Sequence, residues 1–429
     1  MLVQLLYFLL TLAFVKSISI YLFVILFLKI LILLVINPKK NILLFFSFCL
    51  FDLSFTIGYY LAVDHHSNYL QLSKIGFEIL DYIQIFNIYI LTVYLIICAL
   101  IYSKVNKKRF SLTKYKINIK NLNLLTTGFV LIYFSNLACM IYFGLIDLTK
   151  REKPLPYGLN GIFEYMGTIV LPIFTLYLMS ATMKFKKTHS FLICSLIVYA
   201  ILFAYASSSK AGIIVPLLPL LLWLICSHGI LRAAKYLVPL FLSLIVMFPL
   251  FQYYRSVIKN NVQDIDYIGI TLHVLKYFDV GIILNNILSR IFRDVYSLIQ
   301  TFKYLDEYFI FNLSQIIKKG SSSKFFTEEV LGFYIDGHSS GTTFLNDSLM
   351  SFGLIGLFLF PLLLITFIGF LEYLNLSIFY KSFFMFYIFI FIQNGFLNFF
   401  IKVWPFVFTF FVIIVLHLSR RIIYKRQCL

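Results

Sequence analysis

The residues that could do chemistry are few and gather in four places. Ser207-Ser208-Ser209-Lys210-Ala211-Gly212 puts one lysine in a tight turn between two apolar blocks. A lysine there is costly unless it snorkels or meets an anion, and the small residues around it let a ligand reach the backbone. Phe251-Gln252-Tyr253-Tyr254-Arg255 places an arginine where an apolar block ends, and Arg290 and Arg293 follow further on. The planar guanidinium fork binds oxyanions bidentately, so arginines at a membrane boundary suit phosphate. For each, headgroup contact is the plainer alternative, as is the pair Arg290–Asp294 at helical spacing. The fourth place is Asp336-Gly337-His338-Ser339-Ser340-Gly341-Thr342-Thr343-Phe344-Leu345-Asn346-Asp347. His338 there is a candidate general base, with Asp336 or Asp347 to orient it or act instead. A solvated loop histidine is the bland alternative.

These residues hang on a chain of 429 residues, 61% hydrophobic and 13% charged, with mean hydropathy +0.93. A soluble protein would carry roughly twice that charged fraction, which excludes a cytosolic enzyme, a DNA-binding protein and a disordered scaffold. Apolar blocks are long enough to cross a bilayer as helices. Leu2–Ile36, interrupted by Lys16-Ser17, makes one or two spans. Ile42–Ala62, Tyr82–Tyr102, Leu124–Ile146, Gly161–Met183, Ser190–Ala206, Ala211–Ser227, Tyr236–Phe251, Asn346–Leu371, Ser382–Phe400 and Val403–Ser419 follow. The expected fold is an all-α polytopic membrane protein of 11–12 transmembrane helices. Residues 1–251 form an N-terminal helix bundle, 252–345 a large loop, and 346–429 the last helices and a tail.

The net charge of +18 follows the same pattern. Lys39-Lys40, Lys104 to Lys120, Lys184/Lys186/Lys187, Arg232/Lys235, Lys381 and Arg420/Arg421/Lys425/Arg426 fall on alternate connections, with Glu372 the single acid among them. The positive-inside rule makes that side cytoplasmic, with the C-terminus inside and the Gln252–Leu345 loop outside. A bacterial inner membrane is the natural setting. In the loop, Ile291, Val295, Leu298, Phe302, Leu305 and Phe309 keep a helical period. An amphipathic helix is expected there, on the outer membrane boundary or over a cavity, and a second over Ile268–Ile287. Gly320-Ser321-Ser322-Ser323 reads as a flexible break.

No Walker A loop, GxSxG elbow, HExxH or GxGxxG is present. The six cysteines form no CxxC and no disulfide framework. Asp64 beside His65-His66 is a weak metal site, and no outer loop holds an acidic cluster with Mg²⁺ spacing. Neither metal nor cofactor is therefore expected. Acids inside the spans are scarce, Asp52, Glu164 and Asp347, where an ion-coupled transporter carries more.

The whole arrangement resembles the O-antigen polymerase (Wzy) family and its relative, the O-antigen ligase. Ser207-Ser208-Ser209-Lys210-Ala211-Gly212 is similar to the family's S-x-S-R-G turn, with Lys210 where arginine is usual. Arg255 matches an arginine at the start of the periplasmic loop. Thr342-Thr343-Phe344-Leu345 through Phe352-Gly353-Leu354-Ile355-Gly356 resembles the late loop-to-span motif, and His338 lies near the position of the ligase histidine. The resemblance implies a membrane glycosyltransferase C-like fold. It also implies metal-independent transfer of a glycan from undecaprenyl diphosphate to another lipid-linked repeat unit at the periplasmic face. Lys210, Arg255, Arg290 and Arg293 would then bind the diphosphate, with Arg255, His338 and Asp336 as the catalytic set. The partners would be lipid-linked donor and acceptor, membrane lipids and a chain-length regulator, with no nucleic acid. A ligase acting on the lipid A core and a lipid-linked oligosaccharide flippase are the alternatives; the long loop argues against the flippase.

Overall fold

In a computed structural model of the chain, the described residues are 20–38, 40–60, 77–102, 116–143, 145, 159–207, 211–230, 232–235, 295–305, 312–332, 343–374 and 376–395. Short pieces follow at 407–408, 411–412, 414–416, 418–419 and 424–425. The helices are α1 (Ile20–Val35), α2 (Ile42–Phe51), α3 (Phe77–Tyr102), α4 (Ile119–Tyr142), α5 (Leu159–Tyr165), α6 (Leu171–Thr182), α7 (Lys186–Ser207) and α8 (Ala211–His228). After them come α9 (Leu313–Lys319), α10 (Ser322–Phe325), α11 (Phe344–Tyr373) and α12 (Ile378–Asn394). The only strands among the described residues are β1 (Lys116–Ile117) and β2 (Tyr424–Lys425), two residues each, paired antiparallel with Lys116 opposite Lys425.

Five described helices are long and apolar enough to cross a membrane: Ile42–Tyr60, Asp81–Ile101, Ile119–Tyr142, Lys186–Phe203 and Phe344–Tyr373. Ile20–Val35, Met166–Thr182, Pro216–His228 and Ile378–Ile392 are shorter apolar helices. Large apolar side chains stand exposed along them, such as Ile20, Phe23, Phe27 and Leu34 on α1 and Leu124, Leu131 and Ile141 on α4. Water would penalise such stripes; hydrocarbon welcomes them. The helices α2 to α4, α6 to α8, α11 and α12 lie close to the blocks expected for them, displaced by a few residues at their ends, as helix termini usually are. The spans expected over Tyr236–Phe251 and part of Val403–Ser419, the first part of Leu2–Ile36 and the helix expected over Ile268–Ile287 lie outside the described residues.

The chain forms two compact units. The first holds Met1–Phe110, Asn285–Ser377 and Phe384–Lys402; the second holds Ser111–Leu284, Ile378–Phe383 and Val403–Leu429. In the first, α1 packs on α3, and α11 packs on both α2 and α3. The approach of α11 to α3 is close: a Cβ added to Gly369 would collide with Ile97 Cγ2, 2.5 Å away. Phe48 and Phe51 of α2 meet Tyr94 of α3 edge-on, at 5.6 and 6.2 Å between ring centres. In the second unit, α8 packs on α7 and α6, and α4 on α7. Tyr133 stacks on Tyr199 there at 4.0 Å.

Among the described residues, three wide π-turns interrupt the helices: Asp52–Ile57 extends α2, Met166–Val170 joins α5 to α6, and Phe326–Val330 extends α10. The first begins at an acid. Asp52 accepts an ion pair from Lys29 of α1 at 2.6 Å, with the two side chains 0% and 1% exposed.

The helical period expected from Ile291 onward is realised over 295–304. Val295, Leu298, Phe302 and Leu305 are buried as the stripe requires. So are Ser297 and Thr301, so the helix is embedded on more than its apolar face. The expected flexible break at Gly320 is instead a structured junction. Gly320 ends α9 in the left-handed region, at φ 72°, and the Ser321 side chain caps α10 by accepting from the Lys324 amide. Lys319 then holds Glu328 at 2.8 Å and Glu329 at 2.7 Å. These bonds push the Lys319 ammonium pKa up, and the Lys319 bond is the main force holding the Glu328 carboxyl below its ordinary value of 4.5.

Candidate functional site

The expected site residues Lys210, Arg255, Arg290, Arg293, Asp336 and His338 lie outside the described residues, as do Asp64, His65 and His66. The described site is at the start of α11, directly after the Asp336–Thr342 segment in sequence. Thr343 is the extended N-cap, at φ −102° and ψ 169°, and its side chain makes no capping bond. Asn346, Asp347, Ser348 and Ser351 then occupy the first two turns, all fully buried. With Thr343 they make five buried polar side chains within nine residues at the head of an apolar helix, expensive because each lost hydrogen bond to water must be replaced.

Some of them replace it locally. Ser348 and Ser351 donate to the carbonyls one turn back, Phe344 at 2.7 Å and Asp347 at 2.6 Å. The Thr301 hydroxyl has a single proton and lies within reach of two acceptors, the Ser297 carbonyl at 3.0 Å and Asn346 Oδ1. Asn346 Nδ2 and Thr343 Oγ1 have no hydrogen-bond partner among the described residues. A carboxylate, an amide and a hydroxyl thus lie within five residues of one another at a helix N-terminus, where the macrodipole favours the negative charge of Asp347.

Two glycines shape this end. Gly395 follows α12 with φ 74° and ψ 151°, and its Cα lies against the Asp347 carboxyl so closely that a Cβ would overlap Oδ2. Gly353, at φ 59° and ψ −153°, breaks α11 into two rods together with Phe352. The bend tightens the turn so far that a Cβ on Gly356 would lie 2.4 Å from the Ser348 carbonyl oxygen. The motif Phe352-Gly353-Leu354-Ile355-Gly356 is therefore a kink that sets the Asn346–Ser351 turns at an angle to the rest of the span.

The far end of α11 carries Glu372, which the charge pattern leaves as a lone acid on a basic connection. It is fully buried, and its Oε1 accepts the backbone N–H of Leu43 in the first turn of α2. Asn41, the N-cap of α2, supplies no side-chain bond, so Glu372 caps that helix from a distant part of the chain. Glu372→Ala should lower stability by about 1–3 kcal/mol, read as thermal unfolding of the detergent-solubilised protein, with Glu372→Gln milder. An unchanged midpoint for Glu372→Ala would refute the cap.

No group of three or more potential metal ligands occurs among the described residues. The Asn346–Asp347 cluster was visible in sequence only as one alternative acid. The signal that could have found it is the run Asn346-Asp347-Ser348 at the head of an apolar block, where hydrocarbon would favour none of the three.

No protein-family model, curated protein or solved structure matches the chain. The fold defines the class: an all-α, multi-pass membrane protein. Within it, the buried polar turn of α11 is the described cluster nearest in sequence to the expected residues Asp336 and His338.

Proposed function

We propose that the protein polymerises undecaprenyl-diphosphate-linked oligosaccharide repeat units at the periplasmic face of a bacterial inner membrane. It would do so as a metal-independent glycosyltransferase of the membrane C-like type, with residues 252–345 as its periplasmic loop. The observation that supports this reading is the buried Thr343/Asn346/Asp347 cluster at the loop-to-span junction. Its position coincides with the late motif of the resemblance, a few residues from Asp336 and His338.

The chemistry is a displacement at the anomeric carbon. The acceptor's terminal sugar hydroxyl attacks that carbon, the bond from it to the phosphate oxygen breaks, and undecaprenyl diphosphate leaves. His338, or failing it Asp336, takes the hydroxyl proton. Lys210, Arg255, Arg290 and Arg293 neutralise the charge that grows on the leaving diphosphate, each strong donor contributing about 3–4 kcal/mol in a water-poor site. Asp347 positions the segment that carries His338 rather than touching substrate, since it is buried.

The test is the length distribution of surface glycan in a deletion strain complemented with Arg255→Ala, His338→Ala or Asp347→Asn at equal membrane abundance. Arg255→Ala and His338→Ala should reduce the surface glycan to single repeat units, and Asp347→Asn should shorten it. Wild-type length in all three would overturn the reading. Full-length lipid-linked polymer that never reaches the lipid A core would point to the ligase, and units trapped on the cytoplasmic side to the flippase.

A further inference from the structure

The Lys29–Asp52 pair plays no part in that chemistry, yet taking two charges out of water is costly. Two opposite charges 2.6 Å apart and sealed from solvent satisfy each other's charge. An ammonium carries three donors and a carboxylate about four acceptor sites, so a single contact does not by itself account for all of them. Beside the pair lies a cavity lined by Asp52 and Thr56 of the extended α2, and by Asn87 and Tyr94 of α3. Phe48, Phe51, Phe55 and Phe86 form its apolar walls. Its volume is about 10 Å³, room for a single water.

Two further observations point at this cavity. Asn87 is 2% exposed, and its amide Nδ2 has no hydrogen-bond partner among the described residues. An amide donor buried without an acceptor costs about as much as a lost hydrogen bond. The π-turn starts at Asp52, and its wide hydrogen bonding, with the Gly58 amide reaching back to the Leu53 carbonyl, swells the helix beside the cavity.

We propose that this cavity is a binding site for one water molecule, which donates to the Asp52 carboxylate and accepts from Asn87 Nδ2. Charge selects the ligand. The only charged group among the described residues of the cavity wall is the Asp52 carboxylate, already paired with Lys29, so an anion would be repelled by it and a cation would have to compete with the ammonium for it. Size excludes anything larger than water. Water also has the two faces required, one donating and one accepting. The bound molecule adds to the solvation of a buried carboxylate. The ion pair, the water and the amide then form one chain of hydrogen bonds linking α1, α2 and α3.

X-ray hydroxyl-radical footprinting of the full chain in lipid nanodiscs tests the site, because radicals born from a bound water oxidise the rings around it even when bulk solvent cannot reach them. Tyr94 and Phe51 should be labelled several-fold more than Tyr133 and Phe302, which are equally buried elsewhere. After brief dilution into heavy-oxygen water, the label on Tyr94 should still carry the light isotope, since a trapped water exchanges slowly. Asn87→Leu should bring Tyr94 down to the level of Tyr133. Labelling of Tyr94 and Phe51 no greater than that of Tyr133 and Phe302 in the unaltered protein would overturn the proposal, whether or not the variant folds. So would undiminished labelling in a folded Asn87→Leu protein.

Discussion

Lys29→Met and Asp52→Asn should each destabilise the protein by about 3–5 kcal/mol, because each leaves a charge, or a proton donor meant for one, sealed in the membrane core without its partner. The double variant Lys29→Met/Asp52→Asn should recover most of that loss. Its two neutral side chains have nearly the shapes of the originals and bury no charge, leaving only the smaller cost of the asparagine amide. The signature is therefore non-additivity: the coupling energy should approach the sum of the two single losses and be opposite in sign. Denaturant unfolding in detergent micelles measures all four corners of the cycle. Single variants as stable as the parent would mean the pair is open to water; a double variant no better than the singles would mean that the singles lose something other than the pairing of the two charges.

Gly395→Ala should be among the most damaging single-methyl additions in the chain. Its φ of 74° with ψ of 151° lies in a region essentially reserved for glycine, and the new methyl would enter the Asp347 carboxyl. Strain of this kind costs about 1–3 kcal/mol, and displacing a packed, buried carboxylate adds to it. Asp347→Ala should partly rescue Gly395→Ala, since it clears the clash but not the backbone. Folded yield after membrane extraction and the unfolding midpoint read the effect. If Gly395→Ala matches the parent in both, the contact between the end of α12 and the first turn of α11 carries no weight.

The two sites differ in how much of them the sequence exposes. Apolar blocks announce α2, α3, α4, α7 and α11 because a bilayer imposes length and composition on each span independently. The helix at 295–304 is legible by the same kind of local rule, a period of 3.6. Asp52 stands out as an acid within a span, but Lys29 is hidden inside a block already too long for one span, and nothing in either segment states that they meet. Glu372 reads as a loop acid on a basic side because its partner is the backbone amide of Leu43, and amides have no letter of their own. Gly353 and Gly356 are conspicuous in sequence. What they do, bending α11 so that Ser348 and Gly356 nearly touch, depends on φ and ψ values that no pattern of apolar residues encodes. Asn346 and Asp347 fall between the two cases. Their polarity at the head of a span marks them, whereas the approach of Gly395 belongs to tertiary packing.

The wide turn at Asp52–Ile57 also changes how its span must be drawn. A π-turn holds one residue more than the α-helix around it requires, so the angular bookkeeping slips by about 100° on passing through it. A single helical wheel drawn over Ile42–Tyr60 would therefore assign Phe48 and Tyr60 to the wrong sides of each other. Two wheels, joined at Asp52 with an offset, describe the span instead. Seen that way, the turn acts as a rotary joint frozen at one setting: Ile42–Phe51 presents its rings to α3 and α11, while Gly58–Tyr60 is free to aim in a direction that an unbroken helix would forbid.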